Sequence, residues 1–454
     1  MSYATTNPAT GEVERTFDSH TPEEVDRRLA AAAAAFAEHR RTSFSERARL
    51  MLGAADLLDA EQPDVARTIT TEMGKTFAQA KGEVAKCALG MRFFAEHAES
   101  LLADQPIESG ARRSLVRYQP LGPVLAIMPW NFPLWQVVRF AAPALMAGNV
   151  GLLKHASNVP QTALYLEDLF RRAGFAEGCF TTLLVSSGEV AKIVADDRIV
   201  AVTLTGSERA GASVAAAAGD ALKKCVLELG GSDPFVVTSR ADLDKAVSVG
   251  VRARVQNAGQ SCIAAKRFIV EEPVFDRFLE RFVDEMAGLV VGDPLAPSTD
   301  VGPLNSRAQL EEVEGQVEDA RSKGATVACG GERPEGPGFY YRPTVLTGIT
   351  EAMRVAREEV FGPVALVWPA ADLDEAIRLA NDTVYGLGAS VWTEDEDEQR
   401  RLVDEVDAGQ VFVNAMVASS PEIPFGGIKR SGYGRELSDL GIKEFCNAKA
   451  VWVA

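Results

Sequence analysis

The sequence predicts an α/β protein built on two doubly wound, mostly parallel sheets. Three observations carry the prediction. The 454 residues suffice for about three domain-sized units at roughly 150 residues each. From Val124 onward, short apolar runs of strand type alternate with helical periodicity. After Gly231 the same rhythm begins a second time. Parallel neighbours need a crossover between them, usually a helix, so this alternation is the mark of a parallel sheet.

In chain order, residues 1–18 read as turns and short strands around Asn7-Pro8-Ala9-Thr10-Gly11. Thr21-Pro22-Glu23-Glu24 is a capping box with proline at the first helical position, and it opens a helix to about Arg40. Helical periodicity fills Phe44–Ala60, Asp64–Glu72 and Phe77–Leu102, with breaks at Pro63 and Gly74. Arg112–Gln119 alternates as an exposed or pairing strand, and Val124–Met128 reads as a buried one. Strands at Val150–Leu153, Thr181–Val185, Val200–Leu204 and Lys224–Leu229 follow, separated by helices to Ala173, near Val190–Ala195 and over Ala210–Ala218. The second rhythm has strands at Pro234–Val237, Phe268–Val270, Ala325–Cys329, Val360–Trp368 and Gln410–Val413. Its helices are Leu243–Arg254, Val274–Leu289 and Asp374–Asn381. Arg435–Glu444 looks helical, and Ala448–Ala454 is a closing strand. The Gly330–Gly338 segment reads as a surface loop.

Composition removes several classes of function. A hydrophobic content of 46% with 24% charged residues is ordinary for a globular chain. The net charge of −17 disfavours non-specific attraction to nucleic acid or an anionic membrane. The Ala30–Phe36 run is too short to span a bilayer, and Arg139 and Pro143 interrupt the apolar stretch after Trp130. The cysteines Cys87, Cys179, Cys225, Cys262, Cys329 and Cys446 form no CxxC pair and hence neither a disulfide framework nor a metal site. With no signal-like pattern over Met1–Glu12, a cytoplasmic location is expected. None of His20, His39, His97 and His155 sits in a hydrolase motif, and no Gly-x-Ser-x-Gly elbow is present.

The candidate chemistry centres on Asn257-Ala258-Gly259-Gln260-Ser261-Cys262-Ile263. A small polar turn there presents one thiol, which can carry an acyl group as a thioester and release it. A buried structural thiol is the alternative. Glu228, in an otherwise apolar strand end, suits a general base if burial raises its pKa; the alternative is an edge position facing water. Asn131, in Met128-Pro129-Trp130-Asn131-Phe132-Pro133, can donate to a developing oxyanion, or simply build a turn. Thr205-Gly206-Ser207 leaves a strand and enters a helix, as phosphate-binding turns do, without the GxGxxG spacing. Lys154 ends a strand on the side where ligands bind in such sheets, or is a solvated lysine. Arg139 stands in an apolar helical segment and needs an anion: a substrate carboxylate, or a protein carboxylate in an internal ion pair.

Together these motifs resemble the aldehyde dehydrogenase superfamily along essentially the whole chain. They occur in family order: Pro129–Pro133, Lys154, Thr205-Gly206-Ser207, Leu227–Gly231, Gly259–Cys262, Glu358–Pro363 and Pro424–Gly427. Within it, Asn131–Asn149, Lys154–Pro160 and Gly409–Gly434 are similar to bacterial succinate-semialdehyde dehydrogenases of the NADP-preferring type. The resemblance implies that Cys262 attacks the aldehyde, that Asn131 holds the oxyanion and that Glu228 activates the hydrolytic water. It implies cofactor contacts at Trp130, Lys154, Gly206, Ser207, Glu359 and Phe361. Ser157, where NAD-preferring relatives often have glutamate, implies NADP as preferred cofactor with NAD as the weaker one. Substrate contacts are implied at Arg139, Trp135, Ser261 and the Ser419-Ser420 loop, for a short semialdehyde, succinic or one carbon longer. Gln256 stands where some relatives carry arginine, and Ala264 where some carry a second cysteine. The implied organisation is a cofactor-binding domain at 1–108 and 122–230, a catalytic domain at 231–430, and a small β extension at 109–121 and 431–454. That extension is shared between subunits of a homodimer or homotetramer. A CoA-acylating relative is disfavoured because Glu228 is present, and a catalytically silent relative because Cys262 and Glu228 are both retained.

Overall fold

The structure, a computed structural model, describes residues 3–454; Met1 and Ser2 lie outside the described residues. Two sheets dominate it, as the alternating rhythm predicts. The first has six strands in the order Gly432–Tyr433, Lys224–Glu228, Ala201–Thr205, Pro123–Met128, Val150–His155, Phe180–Thr182. All neighbours are parallel except Gly432–Tyr433, which runs antiparallel to Lys224–Glu228. The chain starts in the middle at Pro123–Met128, works outward on one side, then returns to place Ala201–Thr205 beside its starting strand. The strand order therefore reverses between Pro123–Met128 and Ala201–Thr205. A crevice opens at the carboxyl ends of the strands at such a point, and ligands bind there in doubly wound sheets.

The second sheet has seven strands, ordered Thr326–Cys329, Thr344–Thr347, Val364–Ala370, Arg267–Glu271, Pro234–Val237, Ala389–Trp392, Val411–Val413. Only Thr326–Cys329 is antiparallel to its neighbour. A third, three-stranded antiparallel sheet joins Cys446–Val453, Arg113–Pro120 and Gln105–Pro106. Gly432–Tyr433 thus pairs with the first sheet, and the last strand begins at Cys446. Cys446–Val453 is an edge strand with Trp452 64% exposed.

Helices close both faces. Thr21 caps Pro22–His39, its hydroxyl accepting from the Glu24 N–H at 3.3 Å, while the Glu24 carboxylate pairs with Arg27 and Arg28. Only half of the expected capping box is therefore made. The break expected at Pro63 falls at Glu61, because proline is accepted at the second position of Gln62–Met73, where the N–H has no helical partner to lose. Gly74 ends that helix in the left-handed region as expected, at φ 90°. Among the described residues no helix is long and apolar enough to cross a membrane.

Candidate active site

Cys262 sits in the loop that connects Leu243–Val255 to the strand Arg267–Glu271. The chain turns sharply there: Asn257, Ala258 and Gly259 all have positive φ, at 58°, 54° and 74°. Such a backbone costs of order 1–3 kcal/mol for each non-glycine residue and survives only where the surroundings hold it. Here they do. The Asn257 side chain donates to the Asn131 and Gln260 carbonyls at 2.8 and 3.0 Å. A Cβ on Gly259 would stand 2.1 Å from the Gly362 carbonyl oxygen, so only glycine fits. Lys266, fully buried, donates to the carbonyls of Ser261, Cys262 and Ala264 at 2.9, 2.9 and 3.2 Å, and meets Glu359 at 3.3 Å.

The opposite wall is the loop after Pro123–Met128. Glu83 accepts from the Leu134 and Trp135 N–H groups at 2.9 Å each, capping the helix Trp135–Ala147. Lys75 neutralises Glu83 at 2.5 Å and lies over the Phe132 ring at 3.8 Å. His155 accepts from the Ala156 N–H at 2.9 Å, so its other nitrogen donates to the Pro133 carbonyl at 2.8 Å. Burial pulls its pKa down to about 4, which keeps the ring neutral. These groups fix the loop that carries Asn131, whose amide donates one hydrogen to the Gln260 carbonyl at 3.1 Å. The second amide hydrogen remains for another acceptor.

Between the walls lies a cavity of about 260 Å³ lined by Trp130, Asn131, Gly206, Ser207, Glu359, Phe361 and Cys262, among others. The structure thus brings together seven of the residues singled out in the sequence. Ser207 is also the cap of Glu208–Asp220, its hydroxyl accepting from the Ala210 N–H at 3.4 Å. A Cβ on Gly230 would come within 2.6 Å of Glu359 Oε2, so glycine is needed for that carboxylate to stand in the wall. Lys154 and Ser157 lie outside this cavity, at the carboxyl end of Val150–His155 and just beyond. Lys154 is half-buried, with no carboxylate partner among the described residues, and burial lowers its pKa. Ser157 is exposed. An unpaired cation at a strand end and a glycine-walled cleft at the reversal of strand order fit a dinucleotide.

A second cavity, of about 140 Å³, shares Cys262 with the first and is lined by Lys86, Trp135, Arg139, Gln256, Ser261 and Ser419, among others. Three of the expected substrate contacts need correction or refinement. Arg139, buried at 2% exposure, pairs through Nε with the Glu436 carboxylate, reaches Thr205 Oγ1 at 3.4 Å and lies over the Phe425 ring at 4.3 Å. The internal ion pair is therefore formed, and Arg139 is not a free cation awaiting an anion. Ser420 turns away, donating to Glu422, and does not line the cavity. Ser419 does line it, and accepts from Trp135 Nε1 at 2.9 Å and from Lys86 Nζ at 2.7 Å.

Glu228 ends its strand between Thr205, its register partner, and Leu229, both of which line the larger cavity. Its carboxyl sits behind the wall, so close to Gly426 that a Cβ there would meet Oε1 at 2.7 Å. Neither of its oxygens has a hydrogen-bond partner among the described residues. Burial, then the nearby Glu436, raises its pKa well above the usual carboxylate range. Burial likewise pushes the Cys262 thiol up to about 12, opposed by Arg139 and Lys266. Sequence reasoning missed Lys86, Glu83, Lys266 and Glu436. Lys266, immediately before an apolar strand, offered a signal; the others lie in ordinary-looking helical or glycine-rich segments.

A thiol, an amide with a spare donor, a buried carboxyl and a glycine-walled cleft at the reversal of strand order meet at one point, an arrangement that fits oxidation through a cysteine adduct. The chain belongs to the aldehyde dehydrogenase family, which it matches over residues 1–451. It is 60% identical over 457 residues to "Succinate-semialdehyde dehydrogenase [NADP(+)] 1" of Mycobacterium tuberculosis (strain ATCC 25618 / H37Rv), covering 100% of both chains. It is 59% identical to "Succinate-semialdehyde dehydrogenase [NADP(+)]" of Mycobacterium avium (strain 104), covering 100% of this chain and 97% of that one. The structure of the succinic semialdehyde dehydrogenase from Streptococcus pyogenes in complex with NADP+ superposes with a TM-score of 0.97 at 38% identity, over 99% of each chain.

Proposed function

We propose that this aldehyde dehydrogenase oxidises succinic semialdehyde to succinate, with NADP preferred over NAD. The observation that carries the substrate class is the small cavity beside Cys262, walled by Trp135 and supplied with donors by Lys86 and Ser419. A short chain with a far carboxylate matches it in size and charge. The names of the relatives at about 60% identity support the same reading.

The reaction follows from the residues. The Cys262 thiolate adds to the aldehyde carbon, and the oxyanion accepts from the free Asn131 amide hydrogen and the Cys262 N–H. Trp130, Gly206, Ser207, Glu359 and Phe361 would hold a nicotinamide cofactor in the larger cavity, where it would supply the hydride acceptor. The thioester remains on Cys262. Glu228 swings from Gly426 towards the cavity, takes a proton from water, and the hydroxide releases the acid. Lys154 and Ser157 would hold the adenosine-side ribose and its phosphate, Glu359 the nicotinamide-side ribose, and Trp130, Gly206, Ser207 and Phe361 the cleft walls. The exposed edge of Cys446–Val453 supports assembly into a homodimer or homotetramer. Location in the cytoplasm belongs to the same reading.

Comparing kcat/KM for the two cofactors tests the cofactor assignment. NADP is expected to be the more efficient, and Ser157→Glu to reverse the order, since a carboxylate repels the 2′-phosphate. Higher efficiency with NAD that Ser157→Glu leaves untouched would refute it. The raised pKa values of Cys262 and Glu228 also set a pH dependence. The Cys262 thiol, pushed up to about 12, rests protonated near neutrality and must lose its proton to act, and burial with the nearby Glu436 makes Glu228 harder to ionise. Steady-state kcat/KM should therefore climb from about pH 6 to about pH 9, with no histidine-like plateau near 6.5. A profile flat over that range contradicts the assignment.

A further inference from the structure

The resemblance implies Arg139 as the group that recognises the far end of the substrate, and the structure places Glu436 against it. Arg139 is neutralised by Glu436, and Lys75 and Glu83 neutralise each other. Lys86, on the helix Phe77–Leu101, lines the small cavity but has no carboxylate within ion-pair distance among the described residues. It lies over the Trp135 ring at 4.5 Å and gives one N–H to Ser419 Oγ at 2.7 Å. An ammonium carries three donors, so two are uncommitted. Ser419 already accepts from both Lys86 and Trp135, which fills its acceptor sites and leaves its own O–H to donate. Lys86 and Ser419 therefore have donors left over on this wall. A half-buried cation and a spare hydroxyl in that state fit an anion.

We propose that Lys86, together with the Ser419 hydroxyl, binds the far carboxylate of the semialdehyde, and that Arg139 is a positioning residue held by Glu436. This rests on the semialdehyde reading given above. The titratable and charged groups facing Lys86 are Arg139 from the helix Trp135–Ala147, Glu83 and the neutral Cys87 thiol from its own helix, and Lys75 just before it. Burial, then Arg139, lowers the Lys86 pKa to about 8, so the side chain is mostly charged at neutral pH and a bound carboxylate would hold it so. The sequence offered no motif at Lys86: it is one lysine in an amphipathic helix, and only the fold places it opposite Ser419, 333 residues away.

The test is a pair of steady-state series, with succinic semialdehyde and with butanal, on the wild type, Lys86→Met, Lys86→Gln and Lys86→Arg at saturating NADP. Succinate serves as a second probe, as an inhibitor competing with the aldehyde. The wild type is expected to favour succinic semialdehyde. In Lys86→Met the ratio of kcat/KM for the two aldehydes should fall at least about thirtyfold, mainly through KM, with a parallel rise in the succinate inhibition constant. Lys86→Arg should restore part of the ratio, since the charge is kept and the shape is not. Arg139→Ala, by contrast, should lower kcat for both aldehydes alike, because it strands Glu436 beside Glu228. A ratio that survives Lys86→Met, or a loss equal for both aldehydes, overturns the role of Lys86 while leaving the substrate reading intact. If Lys86→Met does not fold, Lys86→Gln gives the same readout. A wild type without preference for succinic semialdehyde overturns the substrate reading itself, and the role of Lys86 with it.

Discussion

Cys262→Ser should abolish aldehyde oxidation, lowering kcat/KM by at least about four orders of magnitude while the protein keeps its fold. The serine hydroxyl fits the site, because the loop is shaped by its backbone rather than by the sulfur. Gly259 is locked against the Gly362 carbonyl, and Lys266 gathers three carbonyls of the loop, so the side chain at 262 contributes little to that geometry. Chemistry is what fails. A hydroxyl is far less acidic than a thiol, and an oxygen ester is a poorer acyl carrier than a thioester. The surrounding charges cannot compensate: even for the thiol, Arg139 and Lys266 do not overcome burial, and the pKa stands near 12. Formation of reduced cofactor, with thermal unfolding as a control for the fold, measures this. Activity within a factor of ten of the wild type would remove Cys262 as nucleophile.

Glu228→Gln should separate the two halves of the reaction. Hydride loss precedes hydrolysis, so the variant should release a burst of reduced cofactor close to one equivalent per active site. It should then turn over slower by roughly 10²–10⁴, the usual contribution of a general base. Stability should not fall, and this distinguishes a base from a structural carboxylate. Glu228 is buried, both of its oxygens lack hydrogen-bond partners, and Glu436 opposes its ionisation. An amide of equal size removes that repulsion and leaves no ion pair broken. Rapid-mixing kinetics give the burst and the slow phase. Normal turnover without a burst would place the base elsewhere.

The parts of the fold that were legible in the sequence are those whose local pattern agrees with their tertiary role. Pro234–Val237 and Phe44–Ala60 fall on the expected residues because burial on both faces, or a clear helical stripe, leaves one consistent reading. The segment Val360–Trp368 departs from the expected strand at its start: Gly362 and Pro363 hold an irregular loop, and the strand begins at Val364. Arg435–Glu444 shrinks to a helix at Ser438–Lys443, because Gly432–Tyr433 first pairs with Glu228 and Leu227, and Leu437 adopts a positive φ of 63°. The site divides in the same way. Cys262 and Asn131 stand in motifs whose chemistry shows in a few adjacent residues. Lys86 and Glu436 acquire meaning only from contacts across hundreds of residues, which no local pattern encodes. Arg139 shows the limit clearly. Its sequence demanded an anion but could not say which, and the fold supplies Glu436.

The most direct measurement of the central claim is mass spectrometry of Glu228→Gln, quenched in acid within the burst after mixing with succinic semialdehyde and NADP. The account predicts a succinyl group in thioester linkage on the peptide that contains Cys262, and its disappearance when the same experiment is run with Cys262→Ser. A burst of reduced cofactor with no acyl group on Cys262, or with the group on another residue, would contradict it.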